Sequence, residues 1–301
     1  MKHNAKDGLM IAGMIIAWSI YYAVSKSTVD VTGSAFLSGF LLRLAALIFL
    51  TFQLLAERKL GDVLHQGRTA LILMLIGVFG FLLDAFANLG YRSSTLSTGT
   101  ALLKMDVLMV NLATVILYKK RLYLSDWIGT FVMLAGVLMV LEIDWAAFSL
   151  NWYDLFFIAS AACVSVNAFI IKAAQQKYHA DTDMIGYYNN FVVLLLFLLS
   201  SLINGDLAAF RAPGGTGFWP LVLLGGLAQA GIYFFYYRNL KRNEVWIVKL
   251  YLLLMPVLSC IIGILFMGET LSVIKAAGIA VVLLGAVLIL VRDRLNRQPA
   301  G

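Results

Sequence analysis

Five charged residues, Arg43, Asp84, Lys104, Asp106 and Lys249, stand inside long apolar runs. Runs of roughly 20 apolar residues are long enough to cross a ~30 Å hydrocarbon core. A charge at the centre of such a run costs roughly 2.5–3.5 kcal/mol, so five facing lipid would cost roughly 12–17 kcal/mol. That is as much as a whole domain has to spend. The five must therefore face the interior, where they can pair, exchange protons or bind a charged solute.

Depth along a helix, at ~1.5 Å per residue, predicts which of them meet. Lys104 and Asp84 lie seven and eight residues from the outer ends of their runs, and Arg43 and Asp106 ten and nine. The expected pairs are Asp84 with Lys104 and Arg43 with Asp106. The Arg43–Asp106 pair reads as a lock between helices. Asp84–Lys104 reads equally as a lock and as a working site, able to greet a zwitterion or pass a proton. Asp84 shares a helical stripe with Gly77, Asn88 and Tyr91, and Lys104 one with Thr100, Asn111 and Thr114. Such stripes are too polar for lipid and suit a wet cavity. Gln229, Tyr233 and Tyr236 recur on one face of a later run and can line the same space. Lys249 lies near an inner end, within reach of the interface by snorkelling.

Other residues have plainer explanations. Trp18, Tyr21 and Tyr22 serve as packing or as an aromatic wall, while Tyr237 and Trp246 suit a membrane interface. Pro256 kinks its run and is a hinge candidate. Glu269 sits favourably where a helix begins. Cys163 and Cys260 have no partner spacing. His3, His65 and His179 all fall outside the runs, so no metal site and no cofactor is expected.

The elements that must position these groups follow from composition. Of 301 residues, 61% are hydrophobic and 13% charged, with mean hydropathy +0.89. Soluble domains hold roughly 45–50% apolar and about 25% charged residues, so the solvent of this chain is lipid. The net charge of +7 offers nucleic acid no soluble basic face. Ten transmembrane helices are expected near 8–26, 33–56, 69–92, 97–118, 125–142, 152–174, 183–203, 218–240, 245–267 and 271–291. The first reads as a retained signal anchor. Between these runs and toward their ends, 16 Lys and Arg lie on one side and 4 on the other, which places both termini in the cytoplasm.

The second half echoes the first. Tyr91-Arg92 followed by Lys104 recurs as Tyr237-Arg238 followed by Lys249, Gly129 and Gly136 as Gly278 and Gly285, and Ser19 and Lys26 as Ser165 and Lys172. Two five-helix repeats are expected, 1–145 and 146–301, in one membrane domain. Five is odd, so the second copy enters the membrane inverted, the plan of secondary transporters with a midplane site and alternating access.

The duplicated pattern, with Phe266-Met267-Gly268-Glu269-Thr270-Leu271, Gly278, Gly285 and Pro256, resembles an EamA-type member of the drug/metabolite transporter superfamily. The first half departs from that pattern, with Val107 in place of the proline and Lys120 in place of the glutamate. The resemblance implies a carrier of the bacterial-type inner membrane, often an exporter of amino acids or other metabolites. A small-molecule substrate and the lipid bilayer are the expected partners, protons are a candidate coupling ion, and a monomer is favoured. Import or exchange is the alternative, ahead of a receptor or channel. A membrane enzyme is disfavoured, because no carboxylate pair shares a helix face and no histidine lies in a span.

Overall fold

The computed structural model describes residues 5–65, 67–93, 99, 102–119, 123–140, 152–211, 217–255, 257–258 and 272–296. Among these the chain is helical, without strands. Its principal helices are α1 (Ala5–Thr32), α2 (Ala35–Ala56), α3 (Ala70–Tyr91), α4 (Met105–Tyr118) and α5 (Leu124–Val140). They continue as α6 (Trp152–Gln176), α7 (Thr182–Ile203), α8 (Phe218–Arg242), α9 (Val245–Leu252) and α10 (Val273–Asn296). One of these helices falls in each of the ten expected runs. Six of them, α1 to α3 and α6 to α8, are long and apolar enough to cross a membrane, while α4, α5 and α10 carry shorter apolar stretches.

Short turns with specific caps reverse the chain between paired helices. Gly33 takes a left-handed φ of +67°, a conformation that suits glycine. Ser34 then caps α2 by accepting from the Leu37 amide at 3.1 Å. Between α6 and α7, Asp181 does the same for α7, accepting from the amides of Asp183 and Met184.

The helix packing has an internal regularity. α3 lies on α6 as α8 lies on α1, α2 on α8 as α7 on α3, and α4 on α6 as α9 on α1. α2 with α7, α4 with α9, and α5 with α10 are the pairs that map onto themselves when each helix is exchanged for the one five places on. Individual contacts follow suit. A methyl group on Gly77 of α3 would strike Val192 of α7, and one on Gly226 of α8 would strike Ala45 of α2. Lys26, at the end of α1, donates to the Tyr91 carbonyl that ends α3. Lys172, near the end of α6, donates to the Leu240 and Asn243 carbonyls that end α8.

A close approach joins α5 to α10 through glycine on both sides. A Cβ on Gly136 would lie 2.7 Å from the Val282 nitrogen and 2.9 Å from the Gly278 oxygen. One on Gly278 would meet the Val140 nitrogen at 2.7 Å and the Gly136 oxygen at 2.9 Å. The obstacles are backbone, which cannot swing aside, so small residues are required where the helices touch. Gly136→Ala is expected to destabilise by about 1–3 kcal/mol through overpacking. A lower melting temperature in detergent checks this; an unchanged one would mean the two helices separate at no cost.

Candidate functional site

A small cavity of about 30 Å³ lies among α1, α2, α3, α6, α7 and α8. Arg43 and Asp84, 3% and 4% exposed, form an ion pair in its wall. Tyr21 donates to the same Asp84 oxygen at 3.0 Å, and Arg43 also donates to the Tyr233 hydroxyl. The guanidinium carbon lies 5.6 Å from the ring centres of both tyrosines, so the cation is held between two aromatic faces. The helices explain the arrangement. Gly80, one turn before Asp84, brings α7 against α3, and Asn190 of α7 anchors α2 by donating to the Arg43 carbonyl at 3.0 Å.

Trp18, Asn167, Asn189, Gln229, Tyr236 and Tyr237 also line the space. Trp18 meets Tyr22 and Tyr236 at ring-centre distances of 5.2 and 5.9 Å, which gives the cavity an aromatic side. Among the described residues, five buried atoms of the lining lack a hydrogen-bond partner: Trp18 Nε1, Arg43 Nε, Asn167 Oδ1, Asn189 Oδ1 and Tyr236 Oη. Buried polar atoms are normally satisfied. Two donors, two acceptors and a hydroxyl around one hollow form the pattern that a polar guest would complete.

The ion pairs differ from the expected ones. Arg43 pairs with Asp84 rather than with Asp106, and Asp106 pairs with Lys249 at 2.8 Å. Depth was a fair guide to which charges lie deep, but it carries no information on which helices adjoin. α2 packs on α3, and α4 packs on α9. Lys249 does not snorkel: it is 1% exposed, with its ammonium 5.4 Å from the Tyr236 ring centre. Lys104 reaches neither Asp84 nor the cavity lining. Its ammonium lies 3.3 Å from the Met255 sulfur.

The remaining candidates divide. Asp84, Gln229, Tyr233 and Tyr236 line the cavity as expected. Asn88 instead ties α3 to α1 and α2, accepting from Ser25 at 2.8 Å and donating to the Ala35 carbonyl at 3.1 Å. Tyr91 packs edge-on against Phe157, and Asn111 donates to Thr130 of α5 at 3.3 Å. Thr100, Pro256 and Glu269 lie outside the described residues. Asn167, Asn189 and Tyr237 were missed. An amide in the middle of an apolar run was the available signal for the first two; Tyr237 was indistinguishable from an interfacial tyrosine.

At the end of the bundle where α2 and α8 finish and α7 begins, an ion cluster joins the two halves of the chain. Lys59 contacts Asp181 at 3.2 Å and Asp183 at 2.9 Å, and Arg238 reaches Asp183 at 2.7 Å. The hydrogen bond from Lys59 to Asp183 holds this lysine above the ordinary lysine range, with partial burial opposing. A raised lysine contributes stability that is complete below its unfolded value and is lost as pH rises through the folded one. The melting-temperature gap between wild type and Lys59→Met should therefore stay constant from neutral to mildly alkaline pH and close only in strong alkali. Added salt should narrow it, because the cluster is partly exposed. A gap that closes near neutrality would mean that another group controls it.

The EamA-like transporter family matches residues 7–142 and again 151–291. A curated relative described as an uncharacterized transporter, from Archaeoglobus fulgidus, is 23% identical over 297 residues, covering 96% of this chain and 100% of its own. A solved crystal structure, described only as that of a protein, superposes with a TM-score of 0.76 at 20% identity. It covers 98% of this chain and 100% of the other. The helical arrangement is thus shared with a protein of low sequence identity.

Proposed function

Because the chain belongs to the EamA-like transporter family, we propose that it carries a small polar or amphipathic solute through the cavity beside Arg43 and Asp84. The observation that carries this reading is the lining itself: one ion pair, an aromatic side and five unsatisfied polar atoms. A solute bearing donors and acceptors as well as an apolar part, as an amino acid does, fits that chemistry. The bilayer and the solute are its partners.

The reading includes ten membrane-spanning helices in two inverted halves that rock about the cavity. Supporting it are the helix contacts that recur five places on, the two family matches, one in each half, and the equivalent lysines at Tyr91 and Leu240. The Lys and Arg bias places both termini in the cytoplasm. Outward transport across a bacterial-type inner membrane is the direction and place that the family resemblance favours. Coupling to protons through Asp84 would require breaking its bonds to Arg43 and Tyr21, a demand that simple solute exchange does not make.

Asn167→Leu is the informative variant, since the Asn167 side-chain oxygen faces no partner whose loss would unfold the protein. Metabolites of cells and medium are compared for wild type, variant and empty vector at matched membrane abundance. The wild type should enrich a compound in the medium, and the variant should do so about tenfold less, as expected for one lost hydrogen bond in a dry site. Enrichment inside the cells would reverse the direction. Equal profiles for wild type and empty vector would overturn the transport reading of this cavity.

A further inference from the structure

A second group of buried charges lies apart from the cavity, where α4 and α9 meet. Lys104, Asp106 and Lys249 are 5%, 7% and 1% exposed. Asp106 is committed to Lys249 at 2.8 Å, and Ser165 of α6 steadies its backbone by donating to the Asp106 carbonyl at 3.1 Å. The cluster thus holds two ammonium groups and one carboxylate, which is bound to only one of them. Among the described residues, no carboxylate oxygen lies within ion-pair distance of Lys104, and the only hydrogen-bond acceptor near its ammonium is the Met255 thioether. A thioether is a weak acceptor and leaves a buried cation largely uncompensated.

The backbone at this point is also unusual. Lys104 is the residue that precedes α4, and no side chain caps the first turn of that helix. α9 runs only from Val245 to Leu252, after which the amides of Leu253 and Leu254 turn back to Leu250 and Tyr251. Interrupted helices at corresponding places in two halves, deep in a membrane bundle, are where ions are bound.

We propose that Lys104, at the helix break that precedes α4, binds a compact, singly charged anion, a halide or a carboxylate group. The anion supplies the negative charge that the cluster lacks. Lys249 does not take part directly, being neutralised by Asp106. This site is separate from the Arg43–Asp84 cavity, and it stands or falls independently of what the cavity carries.

The test uses the full chain in detergent and reads binding rather than transport. A sodium salt of a bulky sulfonate is replaced at constant ionic strength by sodium chloride or by sodium formate. The wild-type melting temperature should rise with concentration, as ligand linkage requires. In Lys104→Met the anion dependence should be about tenfold weaker or absent, the loss of a charge-assisted bond. A rise with chloride and formate alike identifies the inorganic ion as a sufficient ligand; a rise with formate alone identifies the carboxylate. Should Lys104→Met not fold, saturable binding of radiolabelled chloride or formate to the wild type decides the matter. Absence of saturable binding, or an identical temperature rise in wild type and variant, would overturn the proposal.

Discussion

Arg43→Met is expected to lower stability by about 3–5 kcal/mol, the cost of leaving one member of a buried ion pair behind. Asp84 would remain 4% exposed with Tyr21 as its remaining hydrogen-bond partner. The loss would also free the Tyr233 hydroxyl and remove the side chain that links α2 to both α3 and α8. The double variant Arg43→Met/Asp84→Leu should be more stable than Arg43→Met alone, because an apolar pair of similar volume avoids the unpaired charge. Melting temperatures of the single and double variants measure the coupling. If the double variant is no more stable than the single, the charge on Asp84 is not what the missing arginine exposes.

Lys249→Met and Lys104→Met should part company, although the two lysines occupy matching places in the sequence echo. Removing Lys249 leaves the buried Asp106 without its ion-pair partner, at an expected cost of about 3–5 kcal/mol. Removing Lys104 withdraws a buried cation whose hydrogen-bond acceptor among the described residues is a thioether, and should cost less than about 1 kcal/mol without added halide or carboxylate. Folded yield and melting temperature in the bulky sulfonate buffer compare them directly. Similar losses for both variants would mean that Asp106 is shared between the lysines.

The contrast indicates what the chain discloses before folding. Apolar run length located a helix in every expected place, because crossing a bilayer constrains length and composition so tightly. The same argument singled out Arg43, Asp84, Lys104, Asp106 and Lys249, all of which are buried. Their partners were not readable. Depth along a helix is one coordinate, whereas pairing depends on which helices adjoin and which way each is turned. Asp84 therefore found Arg43 across α2 and α3, and Asp106 found Lys249 across α4 and α9. The stripe through Asp84, Asn88 and Tyr91 was read as one cavity wall. Only Asp84 faces the hollow, since the neighbouring helices α1 and α6 cover the other two. Asn167 and Asn189 escaped notice because a single amide in an apolar run carries no partner information of its own.

The glycine seam between α5 and α10 bears on how the protein is made. α5 is completed in the middle of synthesis, yet its closest partner is the last of the described helices. Until α10 leaves the ribosome, the surface around Gly136 has only lipid or other nascent helices against it. Insertion and assembly are therefore separate events for this helix, with a waiting period set by the translation of the whole second half. Chains arrested before α10 should accumulate in the membrane with α5 unprotected, a defined substrate for membrane quality-control proteases.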